Sequence, residues 1–351
     1  MQVIFHNWKD TIQNCLQFPF VLLMVSNLLL VIRVSIMLTI SFLTIIFLDI
    51  YYTVQSTSKP FTYAAGLDLY GADYVNKVIL SHLRFNFWNK AFTYSFQFIG
   101  QEPSGNNFNE ICLDTNLKPH NPMINAGAIM AASLIKPDMD LADRFDFIQS
   151  LFRRLAGGLY VGFNNSIYLS ERAAADRNFA LGNYMMDHDC FPSGIDLKES
   201  LEFYFQLCSM ETSPNAHAVM AATLANGGIC PITGEKVLSP DAVKHTLSLM
   251  LSCGMYDYSG QFAFKVGLPA KSGVSGAILL SVPNVMGILI YSPPLDGHGN
   301  SFKGLKFCDR LLERFKFHQF DLTSSTKIDP VRHMFEENTA EIMSLLFRAT
   351  R

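Results

Sequence analysis

The chain reads as an α+β protein: a block of helices, then antiparallel strands, then a last helix. Two observations predict this. From 123 to 226, apolar residues recur at helical spacing in one segment after another. After 255 the period shortens, and two apolar runs flank a Pro-Asn pair as in a hairpin. A third observation narrows the class: no internal repeat, GxGxxG or Walker motif is present.

The 351 residues suffice for one large domain or two ordinary ones. In chain order, 17–50 is an apolar run whose only charges are Arg33 and Asp49. One membrane helix needs about 20 apolar residues, so the run is long enough for one span, although Arg33 near its middle is costly in lipid. It admits three readings: a membrane-spanning or interfacial segment, sequence foreign to the natural mature protein, or a buried helix. A signal peptide fits poorly, because charge interrupts the core and no small-residue cleavage site follows.

Residues 58–80 have the apolar spacing of a surface helix. Residues 81–98 are aromatic and basic and read as an amphipathic insert. Residues 99–122 are rich in Gly, Pro and Asn and read as a long loop. A buried helix of small side chains is expected over 123–136. An amphipathic helix is expected over 141–156, with Phe145, Ile148, Leu151, Phe152 and Leu155 on one stripe. Two more helices are expected over 170–188 and 197–211, and an Ala-rich one over 214–226 closed by Gly227 and Gly228. Strands are expected over 262–267, 276–282 and 285–291, then a helix over 304–317.

Composition excludes some functions. The net charge of -3, from 27 basic and 30 acidic side chains, offers no basic face for nucleic acid. The seven cysteines are scattered singly without CxxC spacing, which fits a reducing compartment and neither a disulfide framework nor a metal site. His120 and His217 have no partners at ligand spacing, so no metal is expected.

Three features carry chemistry. Ser56-Thr57-Ser58-Lys59 places a serine three positions before a lysine, on one face at the start of a helix. A buried lysine loses its proton through desolvation, and it can then accept the Ser56 proton as the hydroxyl attacks a carbonyl. Alone, S-x-x-K recurs by chance in many proteins. The second feature is Lys271-Ser272-Gly273 opening a strand, the partner of S-x-x-K in serine β-lactamases and penicillin-binding proteins. There the lysine supplies positive field, and Gly273 lets backbone approach the substrate. Val274 and Ser56 would each offer a backbone N–H to an oxyanion. The third is Tyr256, whose phenol can relay a proton to a leaving amine. Taken alone, Tyr256 reads sooner as a core or turn tyrosine; its order behind S-x-x-K and ahead of Lys271-Ser272-Gly273 brings the two readings level, and Cys253 near it reads as a buried small residue.

Long strings give a resemblance. GQEPSGNNFN (100–109), KPHNPMINAGAI (118–129), SERAAADRNFA (170–180), FYFQLCS (203–209), MAATLANGGICPITGEKVLSP (220–240), LMLSCGMYDYSGQFAF (249–264) and GLPAKSGVSGAILLSVPNVMG (267–287) resemble the animal glutaminases of kidney and liver type. The likeness covers 53–80 and 99 to about 320. It implies the β-lactamase-like serine hydrolase fold and hydrolysis of L-glutamine to L-glutamate and ammonia. It implies Ser56 as nucleophile, Lys59 as base and Tyr256 as proton relay. Gln55, Ser56, Asn125, Glu171, Asn178, Tyr204, Tyr256 and Val274 match substrate-contacting positions, with Lys271, Ser272 and Gly273 in support. Glu171 is the natural partner of the α-ammonium, and Asn125, Asn178 and Tyr204 can donate to the α-carboxylate. Without the resemblance, Asn178 reads as a helix-surface residue and Glu171 as a helix-start acid.

No cofactor is implied. Phosphate activation is a family trait, and Glu110 stands at a loop position where the mammalian enzymes carry lysine. The family also implies a homotetramer in mitochondria, with membrane attachment only if 17–50 spans a bilayer. Three departures stand out. The family has strands and a substrate-contacting tyrosine ahead of S-x-x-K; here 17–50 takes that place, the strands are expected to be missing, and Tyr51 and Tyr52 lie too close to Ser56 to substitute. The 81–98 insert interrupts a region that the family crosses almost directly, and translated intron would account for both segments. Residues 321–351 resemble a linker without a T-P-L-H-type repeat, so no ankyrin contacts are expected. The domain plan is thus 1–50 atypical, 51–320 catalytic and 321–351 tail. Two other readings compete: a catalytically impaired chain with a structural role in oligomers, and a serine hydrolase acting on β-lactams or peptides.

Overall fold

The computed structural model describes residues 50–76 and 98–321 and, ahead of them, two strands within 20–32. Those strands, β1 (Phe20–Val25) and β2 (Leu28–Ile32), pair antiparallel. The two-residue β3 (Tyr52–Thr53) runs into a tight helical turn, Gln55–Ser58, and then α1 (Lys59–Tyr70) and α2 (Ala72–Asn76). A long irregular segment leads to α3 (Asn125–Leu134), α4 (Leu141–Leu155), β4 (Val161–Phe163), α5 (Asn165–Ala173) and α6 (Asp176–Asp187). Next come α7 (Leu197–Cys208), β5 (Met210–Thr212), α8 (Pro214–Ala225) and α9 (Pro240–Cys253). A turn at Tyr256–Tyr258 enters α10 (Ser259–Lys265), followed by β6 (Ala270–Gly273), β7 (Ala277–Val282), β8 (Met286–Tyr291) and α11 (Phe302–Arg314).

The helices start where the sequence supplies caps. Asp140, Asn164, Asp196, Ser213, Ser239 and Ser301 each accept a backbone N–H from the first turn of the helix they precede. Pro follows the cap directly in α8 and α9, where its missing N–H costs nothing. Gly227 takes the left-handed φ of 66° that closes α8.

The main sheet is antiparallel, in the order β2-β1-β8-β7-β6. It separates two cores. Ala277, Leu279 and Leu289 face the large core under α1, α3, α7, α8 and α9, while Ile278, Leu280, Ile288 and Ile290 face a smaller one with Phe262, Val266, Cys308 and Leu311. Coverage of both faces explains why β7 and β8 read as continuous apolar runs. α8 lies directly on β8. A Cβ at Gly287 would stand 2.0 Å from the Ala222 nitrogen, so the two backbones touch there. Buried Arg144 ties α4 to the end of α3, donating to the carbonyls of Ile135 (2.9 Å) and Ala132 (3.0 Å) and to Glu199.

Several expectations are corrected. The part of 17–50 that is described is neither a membrane helix nor a buried one: β1 lies along β8, with Phe20 opposite Tyr291 and Val25 opposite Met286. The place where strands were expected to be missing is therefore filled. Among the described residues no helix is long and apolar enough to cross a membrane. The helix at 58–80 is not at the surface, since α1 is buried from Lys59 to Leu67 and packs between α3 and α9. Residues 262–267 are mostly α10, not a strand. Phe262 and Val266 are four apart and enter the smaller core together, while Phe264 is 85% exposed. The helix expected at 170–188 is two, broken at Ala174, and that at 197–211 ends at Cys208 because 210–212 form β5. Helix α9 was not expected, although Ser239-Pro240 marks its start. The insert at 81–98, Phe98 apart, and the tail after Asp321 lie outside the described residues.

Neither Tyr51 nor Tyr52 offers itself to a substrate. Tyr51 packs edge-on to Tyr160, and the buried Tyr52 hydroxyl bonds His217 Nδ1 at 2.7 Å. Burial lowers the His217 pKa to about 3, so the ring is neutral in the fold and protonates on unfolding below its ordinary value of 6.5. The unfolded state then binds the extra proton, so stability is full above about pH 6.5 and falls toward pH 3. Urea titrations at stepped pH are expected to show that fall, and the double variant Tyr52→Phe with His217→Leu is expected to flatten it.

Candidate active site

A second, small sheet of order β3-β5-β4 gathers the site. Glu211 on β5 stands opposite Thr53 on one side and Gly162 on the other. Beyond this sheet, β3 delivers Gln55 to Lys59, β4 leads into α5 with Glu171, and β5 follows α7 with Tyr204. Two further bonds fix the joins: Val54 N–H to the Met210 carbonyl (2.8 Å), and Asn164 N–H to the Ser209 carbonyl (3.0 Å).

Ser56 sits in the turn between β3 and α1, 8% exposed. The turn is held by the Thr57 N–H and hydroxyl, both donating to the Val54 carbonyl. Gln55 enters it at a φ of 49°, in the left-handed region that a side chain with a Cβ occupies at a cost. Tyr256 does the same at 54°. Burial pushes the Tyr256 pKa up, and the neighbouring Ser56 hydroxyl opposes the rise. The Tyr256 O–H donates to the Ser272 carbonyl at 3.1 Å, and the Phe108 ring packs on its ring at 4.8 Å.

Lys59, the first residue of α1, is 2% exposed. Its Nζ donates to Asn125 Oδ1 at 2.7 Å. Burial lowers its pKa from 10.5 to about 8, and the neighbouring Cys208 and Glu171 keep it from falling further. The same Asn125 oxygen accepts the Tyr204 hydroxyl at 3.2 Å, and Asn125 Nδ2 donates to Asn178 Oδ1 at 3.1 Å. Gln55 Nε2 donates to Glu171 Oε1 at 3.1 Å. Thus Gln55, Lys59, Asn125, Glu171, Asn178 and Tyr204 form one neighbourhood beside Ser56. Burial holds the Tyr204 pKa well above 10, so it stays a donor.

Lys271 is fully buried with its Nζ on the carbonyls of Ser272 (2.7 Å) and Gly254 (3.2 Å), 4.4 Å above the Tyr256 ring. Burial first, and then Lys59, push its pKa well below the usual lysine value, which weakens the standing positive field expected of it. Gly273 ends β6 against the nucleophile turn. A Cβ there would lie 3.2 Å from the Val54 carbonyl and from the Thr57 methyl. That contact sets the segment carrying Val274 beside Ser56. A cleft of about 220 Å³ opens next to Tyr256, walled by the 103–108 loop and the 252–260 turn.

A hydroxyl, a buried amine of lowered pKa, a phenol and a carboxylate with amide partners thus stand in one neighbourhood. A family model described as glutaminase matches residues 88–320. The chain belongs to the glutaminase family. The matched range leaves out Ser56 and Lys59, so geometry joins them to the rest. The chain is 50% identical over 300 residues to the mitochondrial liver isoform of glutaminase from Rattus norvegicus, covering 85% of this chain and 46% of that one. It is 41% identical over 272 residues to a glutaminase from Nostoc sp., covering 77% and 74%. A crystal structure of a Bacillus glutaminase superposes with a TM-score of 0.74 at 28% identity, over 90% of this chain and 99% of that one. The chain spans about half the length of its rat relative.

Some site residues went unread in the sequence. Cys208 lies one helical turn from Tyr204, and its buried thiol is close enough to Lys59 that burial raises its pKa while Lys59 lowers it. The i, i+4 spacing within FYFQLCS was the available signal. Phe108 packs on Tyr256, and its carbonyl accepts the Asn125 N–H at 2.9 Å. Among the described residues no group of three or more His, Cys, Asp or Glu side chains could hold a metal. The Lys59 amine is expected to titrate near pH 8, and side-chain nitrogen NMR of labelled lysine checks it.

Proposed function

We propose that this chain hydrolyses the side-chain amide of L-glutamine to L-glutamate and ammonia through a glutamyl ester on Ser56. One observation carries the reading: Lys59, three residues after the buried Ser56, is itself buried on the Asn125 amide oxygen with its pKa brought to about 8. A lysine with that pKa can accept a proton near neutrality and return it within the same cycle.

Glu171 takes the α-ammonium of glutamine, and Asn125, Asn178 and Tyr204 donate to the α-carboxylate. Pairing each charged handle discriminates strongly, because a substrate lacking one leaves a buried polar group unpaired. The Ser56 oxygen attacks the γ-carbon as its proton passes toward Lys59, directly or through Tyr256. The oxyanion is met by the N–H groups of Ser56 and Val274. The C–N bond breaks as the nitrogen takes a proton from Tyr256 or Lys59 and leaves as ammonia. Water then attacks the ester, its proton follows the same path in reverse, and Ser56 is released with glutamate.

A mitochondrial location, in keeping with the rat relative's name, and a homotetramer belong to the same proposal. Light scattering on purified protein tests the assembly.

Ammonia release from L-glutamine by the purified chain is the direct test. Ser56→Ala is expected to abolish it, and Tyr256→Phe to lower kcat by about a hundredfold. A folded wild type that releases no ammonia overturns the proposal. Lys59 works as a base only when neutral, so kcat/KM is expected to be low in acid, to rise through about pH 8 and to level off above it.

A further inference from the structure

Helix α5 carries Glu171, yet none of its side chains is buried. Apolar burial, which fixes most helices, therefore holds this one weakly. Its tethers are polar. Asn164 caps it and also donates to Glu211 at 2.8 Å. Across from it, on α7, stands Glu202, 8% exposed. Both of its carboxylate oxygens are engaged: Oε2 accepts the Tyr168 hydroxyl at 2.6 Å, and Oε1 pairs with Arg172 Nε at 2.9 Å. Tyr168 and Arg172 are four residues apart and share one face of α5. Glu202 thus grips the helix on the turn that carries Glu171.

The same turn of α7 works in two directions. Tyr204, two residues on, reaches Asn125, while Glu202 reaches α5. One helix therefore sets the groups for both charged ends of the substrate.

Resting on the glutaminase reading, we propose that Glu202 is a positioning residue for substrate recognition: it holds α5 so that Glu171 meets the α-ammonium, without touching the substrate. Glu202→Gln keeps the shape but removes the charge that pairs with Arg172, while its amide N–H can still donate to the Tyr168 hydroxyl. One of the two grips is lost, and Glu171 is no longer held in register.

Binding is best read by calorimetry in the Ser56→Ala background, where catalysis does not interfere. There, Glu202→Gln is expected to weaken L-glutamine about tenfold. Binding of the analogue that lacks the α-amino group is expected to stay unchanged. A general loosening of the fold would weaken both ligands alike, and that outcome overturns the proposal, as does unaltered L-glutamine binding. Amide hydrogen exchange over 165–173 gives a readout free of any ligand. Protection is expected to fall about tenfold in Glu202→Gln, and Tyr168→Phe to act in the same direction. Unchanged protection overturns the tether even where the functional reading stands. Hydrolysis by the wild type with no effect of Glu202→Gln on KM sinks the positioning role alone. Absence of both binding and hydrolysis sinks the glutaminase reading, and the proposal with it.

Discussion

An ammonium group buried without a carboxylate in direct contact is the constraint around which this site is organised. Lys59 gives up nearly all its water and receives one close partner, the Asn125 amide oxygen. A neutral acceptor only partly replaces hydration, so the charged form is disfavoured and the amine sits near the point of losing its proton. Asn125 must then be held firmly, and it is: its backbone is bonded to the Phe108 carbonyl, its oxygen also takes Tyr204, and its nitrogen engages Asn178. In the proposed mechanism, the network that holds Lys59 is also the one offered to a substrate carboxylate. Chemistry and recognition share the same side chains.

The small sheet makes this economical in chain length. Its strands are two or three residues long, too short to be stable alone. They persist because β3 and β5 run into α1 and α8, which pack in the large core, and β4 follows α4, which packs there too. In return, the ladder fixes three otherwise separate segments in one register. A slip of one residue at β3 would turn every side chain of that strand to the opposite face.

Ser56, Lys59 and Lys271-Ser272-Gly273 stood out by residue type, whereas Gln55, Asn125, Glu171, Asn178 and Tyr204 were named only through the family resemblance. A serine three before a lysine, followed far along the chain by Lys271-Ser272-Gly273, has few structural explanations. Glu202 and Cys208 were not legible, since a carboxylate and a thiol inside an apolar helix pattern look like ordinary residues until the facing helix is known. The fold shows the same division. Helices with caps and regular stripes, such as α4 and α8, were readable. The apolar run near the start was not, because a segment without alternation fits helix, membrane span or covered strand equally well. Only its neighbour β8 decides between them. The Phe262–Phe264 pair misled for a related reason: two aromatics at alternate positions imitate a strand, whereas the spacing that mattered was from Phe262 to Val266.

The contact between Gly287 and Ala222 carries a further meaning for the core. Most helix–sheet layers are kept apart by side chains, so their separation shifts when residues change size. Here main chain rests on main chain, which makes the gap a fixed gauge and not an adjustable cushion. Variation in the large core must then be absorbed on the sides where α1 meets α3 and α9. The strand that bears Gly287 becomes a datum from which the rest of the interior is measured.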